Sequence, residues 1–281
     1  MDSHDATGPA STRPVKIGVQ LQPQHAAYDD LRRAVDRAEE LGVDIVFNWD
    51  HFYPLYGDPE GQHFECWTML GAWAHQTSRI ELGALVTCNS YRNPELLADM
   101  ARTVDHISGG RVILGIGSGW FERDYAEYGY DFGTAGSRLD KLRDDLPRLE
   151  RRLTRLNPPP TRDIPVLIGG GGERKTLRLV ARHADIWHGF DQANLPHKLD
   201  VLRAHCADEG RDMADIEISI GVGGMGREGR RPRSPEDEGA PLLALGATLF
   251  TIGVNGPAYD FSDVHPWLQW RDAVNAQRQA E

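Results

Sequence analysis

Short segments of alternating or continuous apolar residues recur along the chain, and segments with helical spacing separate them. Residues 15–21 (VKIGVQL) put every second side chain on one apolar face, which predicts a β-strand. Residues 28–42 (YDDLRRAVDRAEELG) carry apolar residues at helical spacing, with acidic residues in the first turn and a glycine at the end. Residues 43–49 (VDIVFNW) are apolar through their middle, which is typical of a parallel strand covered by helices on both faces. The first elements are therefore strand, helix and strand.

The same alternation continues through the rest of the chain. Eight strands are predicted, at residues 15–21, 43–49, 80–87, 111–116, 165–169, 185–189, 216–222 and 247–252. Eight helices are predicted after them, at residues 28–42, 65–77, 94–108, 137–156, 173–183, 195–210, 239–245 and 262–279. The two long predicted loops are residues 117–136 and 223–238.

Strict alternation favours parallel strands joined by right-handed crossovers. Eight such units in about 265 residues favour a closed (β/α)8 TIM barrel of the α/β class, in a single domain. An open doubly wound sheet is the alternative. We interpret residues 1–13 as a flexible N-terminal tail and residues 14–281 as the barrel that binds cofactor and substrate.

The composition excludes several classes of protein. Among 281 residues, 31 Lys+Arg stand against 42 Asp+Glu, and the net charge of −11 is unsuited to nucleic-acid binding. Three widely spaced cysteines are too few for a disulfide scaffold. No run of 18 apolar residues predicts a membrane span, and residues 1–13 lack the apolar stretch of a signal peptide. We therefore expect a cytoplasmic enzyme with no membrane or nucleic-acid partner.

Glycine is unusually frequent, with 30 residues, and two glycine clusters fall where predicted strands end. In a TIM barrel the binding groups lie at these C-terminal ends. Gly169, Gly170, Gly171 and Gly172 lie between a strand and a helix, where backbone N–H groups can bind a phosphate; a flexible turn is the alternative. The run has neither GxxxxGK[ST] nor GxGxxG spacing. The second cluster, residues 117–119 (GSG), can offer backbone N–H groups and a hydroxyl to a ligand, or allow close packing.

A carboxylate and an imidazole are adjacent at Asp50 and His51, directly after the second predicted strand. Histidine is the usual proton shuttle near neutral pH, and the end of a barrel strand is where such a group acts. A structural histidine is the alternative. A metal centre needs several converging ligands, and the sequence has neither His-x-His in the first strand nor an HExxH motif. We therefore expect acid–base chemistry without a metal ion.

Three segments together resemble the luciferase-like monooxygenase superfamily. Residues 83–132 (GALVTCNSYRNPELLADMARTVDHISGGRVILGIGSGWFERDYAEYGYDF) resemble its central signature, and in particular the branch that uses the deazaflavin coenzyme F420. Residues 164–188 (IPVLIGGGGERKTLRLVARHADIWH) are similar to its phosphate-loop region, and residues 47–54 (FNWDHFYP) match the turn after its second strand. The resemblance covers residues 15–256.

The resemblance implies a barrel that binds coenzyme F420, or alternatively FMN, at its C-terminal mouth. It implies that residues 85–87 back the flat ring, with a non-proline cis peptide in this segment, and that residues 170–172 bind phosphate. The residues expected to contact the cofactor are Gln20, Asp50, Leu85, Val86, Thr87, Asn89, Ser118, Gly119, Gly169, Gly170, Gly171 and Gly172. A homodimer is expected from the family as well.

The function that the resemblance implies is hydride transfer between C5 of the deazaflavin and a small organic substrate. His51 is expected to donate or accept the proton, and Asp50 to orient His51 or to contact the ring. An FMN-dependent monooxygenase and a non-catalytic F420-binding carrier or sensor are the alternatives. Members that act on sugar phosphates have a carboxylate directly after the second glycine cluster, where this chain has Trp120, with Glu122 two residues on. A sugar-phosphate substrate is therefore not expected.

Overall fold

The computed structural model describes residues 13–223 and 233–280. The strands are β1 (Lys16–Leu21), β2 (Ile45–Asn48), β3 (Glu81–Ala84), β4 (Thr87–Cys88), β5 (Val112–Gly117), β6 (Val166–Gly169), β7 (Ile186–Gly189), β8 (Glu217–Val222) and β9 (Ala247–Val254). The helices are α1 (Tyr28–Glu40), α2 (Cys66–Gln76), α3 (Pro94–Ser108), α4 (Glu122–Tyr128), α5 (Ala135–Leu153), α6 (Thr176–His183), α7 (Leu195–Glu209), α8 (Pro235–Ala244) and α9 (Val264–Ala280). Most of the predicted tail at residues 1–13 and of the predicted loop at residues 223–238 lies outside the described residues.

The strands form one closed sheet. Neighbouring strands are parallel, in the order β3-β2-β1-β9-β8-β7-β6-β5-β4, and β3 also pairs with β5 through Leu82 opposite Val112. β3 and β4 are two parts of one barrel strand, separated by Leu85 and Val86. The described chain is therefore an eight-stranded parallel barrel surrounded by helices, which confirms the predicted (β/α)8 fold and contradicts the open sheet.

Side chains along each strand alternate between two apolar cores. Phe47 on β2 packs inside the barrel, whereas its neighbour Val46 packs against the surrounding helices. The buried members of the inner core are Ile45, Phe47, Leu85, Ile113, Leu167, Ile186 and Leu249. Burial of each such side chain contributes roughly 1.5–3 kcal/mol. Because the interior is packed, the space for a ligand is at the mouth.

Helix α3 shows how local sequence sets the bounds of a helix. The Asn93 side chain accepts a hydrogen bond from the backbone N–H of Leu96, and Pro94 occupies the first position, where no N–H is needed. The helix ends at Gly109, whose φ of 69° lies in the left-handed region. No helix within residues 13–223 and 233–280 has the length and apolar character needed to cross a membrane.

Helix α4 corrects the loop predicted at residues 117–136. It has seven residues, too few for a visible amphipathic repeat, and tertiary packing stabilises it. Tyr125 on this helix is buried, and its ring centroid lies 4.9 Å from that of Phe132 and 5.2 Å from that of Tyr91. The position of α4 therefore depends on aromatic contacts that distant parts of the sequence supply.

Two other predicted helix starts are wrong. Helix α6 begins at Thr176 rather than at residue 173, so the glycine-rich segment is followed by a longer loop. Helix α8 begins at Pro235, inside the predicted loop at residues 223–238. There the Ser234 side chain accepts a hydrogen bond from the backbone N–H of Asp237, so that a capping serine starts the helix.

Candidate active site at the barrel mouth

His51 lies at the C-terminal mouth of the barrel and bonds to a carboxylate from a distant part of the chain. Its Nδ1 lies 2.8 Å from Oδ2 of Asp124 on α4. Asp124 is fully buried and also accepts hydrogen bonds from the Tyr91 hydroxyl and from the backbone N–H groups of Phe52 and Tyr53. A carboxylate among four donors acts as the acceptor, so Nδ1 of His51 carries the hydrogen of this bond. Nε2 of neutral His51 then presents a lone pair, and no described residue forms a hydrogen bond with it.

Tyr91 supports this arrangement from the segment after β4. Its hydroxyl lies 2.9 Å from Oδ2 of Asp124. Burial, with Cys88 and Asp124 nearby, raises the pKa of Tyr91, so the hydroxyl stays protonated and donates at neutral pH. Sequence reasoning missed both Asp124 and Tyr91, because neither lies in a motif of its own. Only the acidic residues that follow the GSG cluster could have pointed to Asp124.

Three aromatic rings contact the imidazole of His51 edge-on. The ring centroids of Phe121, Trp120 and Trp49 lie 5.5, 5.8 and 6.0 Å from that of His51. The indole N–H of Trp49 donates to Nε2 of His63 at 2.9 Å. Burial lowers the pKa of His63 to about 4, so this acceptor is neutral near pH 7. His51 therefore lies in apolar surroundings, in which a proton-transferring group is shielded from water.

Asp50 forms a buried ion pair instead of a bond to His51. Its Oδ2 and Oδ1 lie 2.5 and 2.9 Å from two nitrogens of Arg92, and the backbone N–H of Cys88 donates to Oδ2 at 2.9 Å. Arg92 also pairs with Glu65. The predicted role of Asp50 in orienting His51 is therefore wrong, and Asp124 has that role. A contact between Asp50 and a cofactor ring stays a prediction.

The break between β3 and β4 places an apolar side chain at the mouth. Nε2 of buried Gln20 donates to the carbonyl oxygen of Leu85 at 2.8 Å, and the Leu85–Val86 peptide is cis, as the resemblance implies. A Cβ atom at Gly117 would lie 2.8 Å from Val86, and one at Gly169 would lie 3.0 Å from it. The glycines at these two positions therefore make room for Val86, where the cofactor ring is predicted to rest.

The turn after β5 requires a glycine at position 119. Gly119 has a φ of 80°, and a Cβ atom there would overlap with Sγ of Cys88 and the hydroxyl of Tyr125. That hydroxyl donates to the carbonyl oxygen of Ser118 at 3.3 Å. Burial raises the pKa of the Cys88 thiol to about 11, so a nucleophilic thiolate does not form near neutral pH. Cofactor contacts from Ser118 and Gly119 stay predictions.

The glycine-rich segment after β6 is only partly available to a ligand. The N–H of Gly170 donates to the carbonyl oxygen of His188 at 3.1 Å, and its own carbonyl oxygen accepts from Trp187 at 2.7 Å. Gly171 and Gly172 are more open, and no described residue accepts a hydrogen bond from their N–H groups. Of the predicted phosphate-binding amides, those of Gly171 and Gly172 therefore remain available to a ligand.

The cations near this segment are paired with acidic residues. Lys175 contacts both carboxylate oxygens of Asp140 at 2.8 Å. Lys198, which sequence reasoning missed, lies 2.5 Å from Oε1 of Glu173 and is mostly buried. Arg174 is exposed. A phosphate bound here would therefore meet positive charge that the protein already balances in part.

Thr87 and Asn89 direct their side chains toward the surrounding helices. The Thr87 hydroxyl accepts a hydrogen bond from the indole N–H of Trp67 on α2 at 3.2 Å. The Asn89 amide donates to Asp145 on α5 at 3.0 Å. The structure does not bring these two side chains to the mouth. A cofactor contact from the backbone of either residue stays a prediction.

Three buried polar atoms near the mouth have no partner in the described chain. They are Oε1 of Gln22 after β1, Nε2 of His188 in β7 and Oγ1 of Thr251 in β9. His188 and Thr251 each lie two residues after an inner-core residue, which places their side chains on the barrel interior. Nδ1 of His188 lies 2.8 Å from the Ser219 hydroxyl, and burial lowers the pKa of His188 to about 3. These three atoms are therefore buried, uncharged and without a hydrogen-bond partner in the described chain.

No group of three or more His, Cys, Asp or Glu side chains that could hold a metal ion is present within the part of the chain that the structure describes. His51 follows β2 at the mouth, and His188 lies in β7. His51 has Asp124 on one nitrogen, and His188 has Ser219. The arrangement at the mouth is suited to proton transfer beside a flat, partly polar ligand.

Comparison with known proteins gives a match over most of the chain. A model of the luciferase-like monooxygenase family matches residues 11–225. A curated relative from Amycolatopsis mediterranei, an F420-dependent glucose-6-phosphate dehydrogenase, is 29% identical over 189 residues, which are 60% of this chain and 54% of the relative. The chain thus matches about half the length of that relative.

Solved structures with the same fold cover nearly the whole chain. An F420-dependent secondary alcohol dehydrogenase in complex with an F420-acetone adduct superposes with a TM-score of 0.76 and 17% identity, over 92% of this chain and 98% of the other. A riboflavin lyase with modified FMN and riboflavin gives 0.70 and 14%, over 92% of each chain. These likenesses confirm the barrel. Because the family model matches well over half of its residues, this chain belongs to the luciferase-like monooxygenase family.

Proposed function

We propose that this chain is an F420-dependent oxidoreductase that transfers a hydride between C5 of the deazaflavin and a small organic substrate. The main support is the pair of His51 and Asp124, which places an acid–base nitrogen at the mouth of the barrel. The names of the Amycolatopsis relative and of the alcohol dehydrogenase with the same fold support the choice of cofactor. The bound cofactor supplies the hydride chemistry, and the chain has to position the substrate and move the proton.

The mouth suits a flat cofactor that carries a phosphate. Val86 offers an apolar surface for the ring. The open amides at residues 171–172 can bind phosphate. The apolar surface of Val86 and the open amides support the cofactor contacts that the sequence predicts at this mouth.

His51 moves the proton at the substrate oxygen. When an alcohol is oxidised to a carbonyl compound, its hydroxyl proton has to leave, and Nε2 of neutral His51 can accept it. In the reverse direction the imidazolium donates the proton to the carbonyl oxygen. Asp124 stabilises the imidazolium. Its bond to Nδ1 also fixes the orientation of the ring, so that Nε2 faces the substrate. Trp49 and Phe121 limit the access of water to the imidazole.

Two alternatives remain to be separated by experiment. The likeness to a riboflavin lyase with modified FMN favours an FMN-dependent monooxygenase as the second candidate. A carrier or sensor that binds F420 without catalysis is the third. Each predicts a different combination of cofactor preference and turnover.

The deciding experiment titrates the protein with F420 and with FMN and follows the fluorescence of each cofactor. We expect F420 to bind more tightly, and the deazaflavin absorbance to change when alcohols or ketones are added. His51→Ala should lose this change and keep its affinity for F420. Binding of FMN alone would favour the monooxygenase, and binding of F420 with no turnover on any substrate would favour the carrier.

We propose, on the strength of the family resemblance, that the protein is a cytoplasmic homodimer whose partner is a small molecule rather than a membrane or nucleic acid. The net charge of −11 supports the lack of a nucleic-acid partner. Sedimentation velocity would test the dimer, because it should give twice the mass of the chain. A single species with the mass of one chain would contradict it.

A further inference from the structure

Trp120 is a large aromatic side chain that lies open at the barrel mouth beside His51. It is 62% exposed, its ring centroid lies 5.8 Å from that of His51, and the two ring planes are 74° apart. The turn that carries it is held in place, because Nε of buried Arg138 donates to the carbonyl oxygen of Gly119 at 3.0 Å. Phe121 lies beside both rings, with its centroid 5.5 Å from that of Trp120 and 5.5 Å from that of His51. A ligand that covers this indole removes apolar surface from water and is stabilised by doing so.

The surroundings of His51 favour an uncharged ligand. Its ring contacts come from Trp49, Trp120 and Phe121. An aromatic face carries partial negative charge, so it pairs well with another ring and poorly with an anion. His63, which bonds to Trp49, is neutral near pH 7 because burial lowers its pKa to about 4. An anionic substrate would lose hydration against these rings, whereas a planar uncharged substrate would gain contacts.

We propose that Trp120 determines specificity, and that the substrate is an uncharged aromatic ketone or the corresponding secondary alcohol. The proposal rests on the proposed function, since it places the reacting oxygen at Nε2 of His51 and the aromatic ring against Trp120. In ketone reduction the carbonyl carbon takes a hydride from the reduced deazaflavin, which becomes oxidised, and the oxygen takes a proton from His51. In the reverse direction the alcohol carbon gives the hydride back to the oxidised deazaflavin, and the hydroxyl gives its proton to His51.

The test measures binding of acetophenone to the F420-loaded protein by calorimetry, with glucose 6-phosphate as the anionic probe. We expect acetophenone to bind more tightly than glucose 6-phosphate. Trp120→Leu should weaken acetophenone binding about tenfold, since a stacked ring pair is lost, and Trp120→Phe should keep most of the affinity. Tyr128→Leu is the matched control. Tyr128 is 54% exposed but stacks on Phe52 rather than on His51, and its loss should leave the affinity unchanged.

Tighter binding of glucose 6-phosphate, no binding of acetophenone, or a Trp120→Leu variant that binds acetophenone like the wild type would overturn the role of Trp120. In turnover, Trp120→Leu should raise KM for acetophenone and leave kcat within about twofold. Oxidation of the reduced deazaflavin by acetophenone reports on the proposed function separately. Binding in the expected order without this oxidation would support the role of Trp120 and contradict the oxidoreductase.

Discussion

His51 and Asp124 are 73 residues apart in the chain, yet Nδ1 of His51 lies 2.8 Å from Oδ2 of Asp124. Asp124 lies on α4, a helix of seven residues that aromatic side chains hold against the mouth. The bond assigns the ring hydrogen to Nδ1 and leaves Nε2 without a bond to any described residue, which the proposed proton transfer requires. Packing of α4 therefore sets the orientation of the His51 ring.

Asp124→Asn should lower turnover about 100-fold, the lower end of what a positioned acid–base group contributes. The amide lacks the negative charge that stabilises the imidazolium, and it can turn its NH2 toward Nδ1 and reverse the tautomer. Affinity for F420, measured by fluorescence titration, should change little. Tyr91→Phe is the matched control, since it removes one donor to the same carboxylate and leaves the bond to His51. Equal losses in both variants would contradict a specific role for Asp124.

Asp50→Asn should destabilise the protein by about 3 kcal/mol, because it leaves the charge of buried Arg92 with only Glu65 as its partner. Urea unfolding would measure this loss. Arg33→Ala is the control, since it removes an exposed ion pair with Asp30, which contributes little. A fall in turnover at unchanged stability would instead assign Asp50 to the reaction.

The barrel could be predicted from the sequence because each unit repeats a strong local signal. The apolar run at residues 43–49 and the helical spacing at residues 28–42 each identify their element without tertiary contacts. Asp50 and His51 stood out because they follow a strand directly. The ends of parallel strands meet at one mouth, so position in the chain predicted position in the fold.

The partners of these residues could not be predicted, because they depend on contacts between distant segments. The hydrogen bond between His51 and Asp124 depends on α4. This helix has only seven residues, which are too few to show an amphipathic repeat in the sequence. The sequence predicts a cofactor contact at Gly169 and leaves Gly117 open between ligand contact and close packing, and in the structure both glycines leave room for Val86. A glycine in the sequence indicates close approach and does not reveal which atom approaches.

Gly119→Ala should destabilise the protein clearly more than Gly129→Ala. Both glycines have left-handed φ values, 80° and 70°, so both substitutions carry the backbone cost of about 1 kcal/mol. Only at Gly119 would the new Cβ overlap with Cys88 and Tyr125, whereas nothing lies within 4 Å of it at Gly129. Thermal unfolding of the two variants would measure the difference. Equal losses would show that the turn before Trp120 can shift without cost.

Stability should fall as pH decreases from about 6.5 to about 4, because His63 is held neutral in the folded state. Burial lowers its pKa to about 4, against 6.5 in the unfolded chain, and the nearby Asp124 carboxylate opposes this shift only in part. Between these values the unfolded state binds more protons, so the free energy of unfolding falls as pH falls, by at most about 1.4 kcal/mol per pH unit from this group.

His63→Gln should reduce this slope, because glutamine can still accept the Trp49 N–H but does not titrate. His188 acts in the same direction, since burial lowers its pKa to about 3, and it should account for part of the slope that remains. His75, which is exposed on α2, is the control, and His75→Gln should leave the slope as it is. Urea unfolding of the wild type, His63→Gln and His75→Gln at half-unit steps of pH would measure the three slopes. A slope that stays the same in His63→Gln would show that His63 takes up its proton before the protein unfolds.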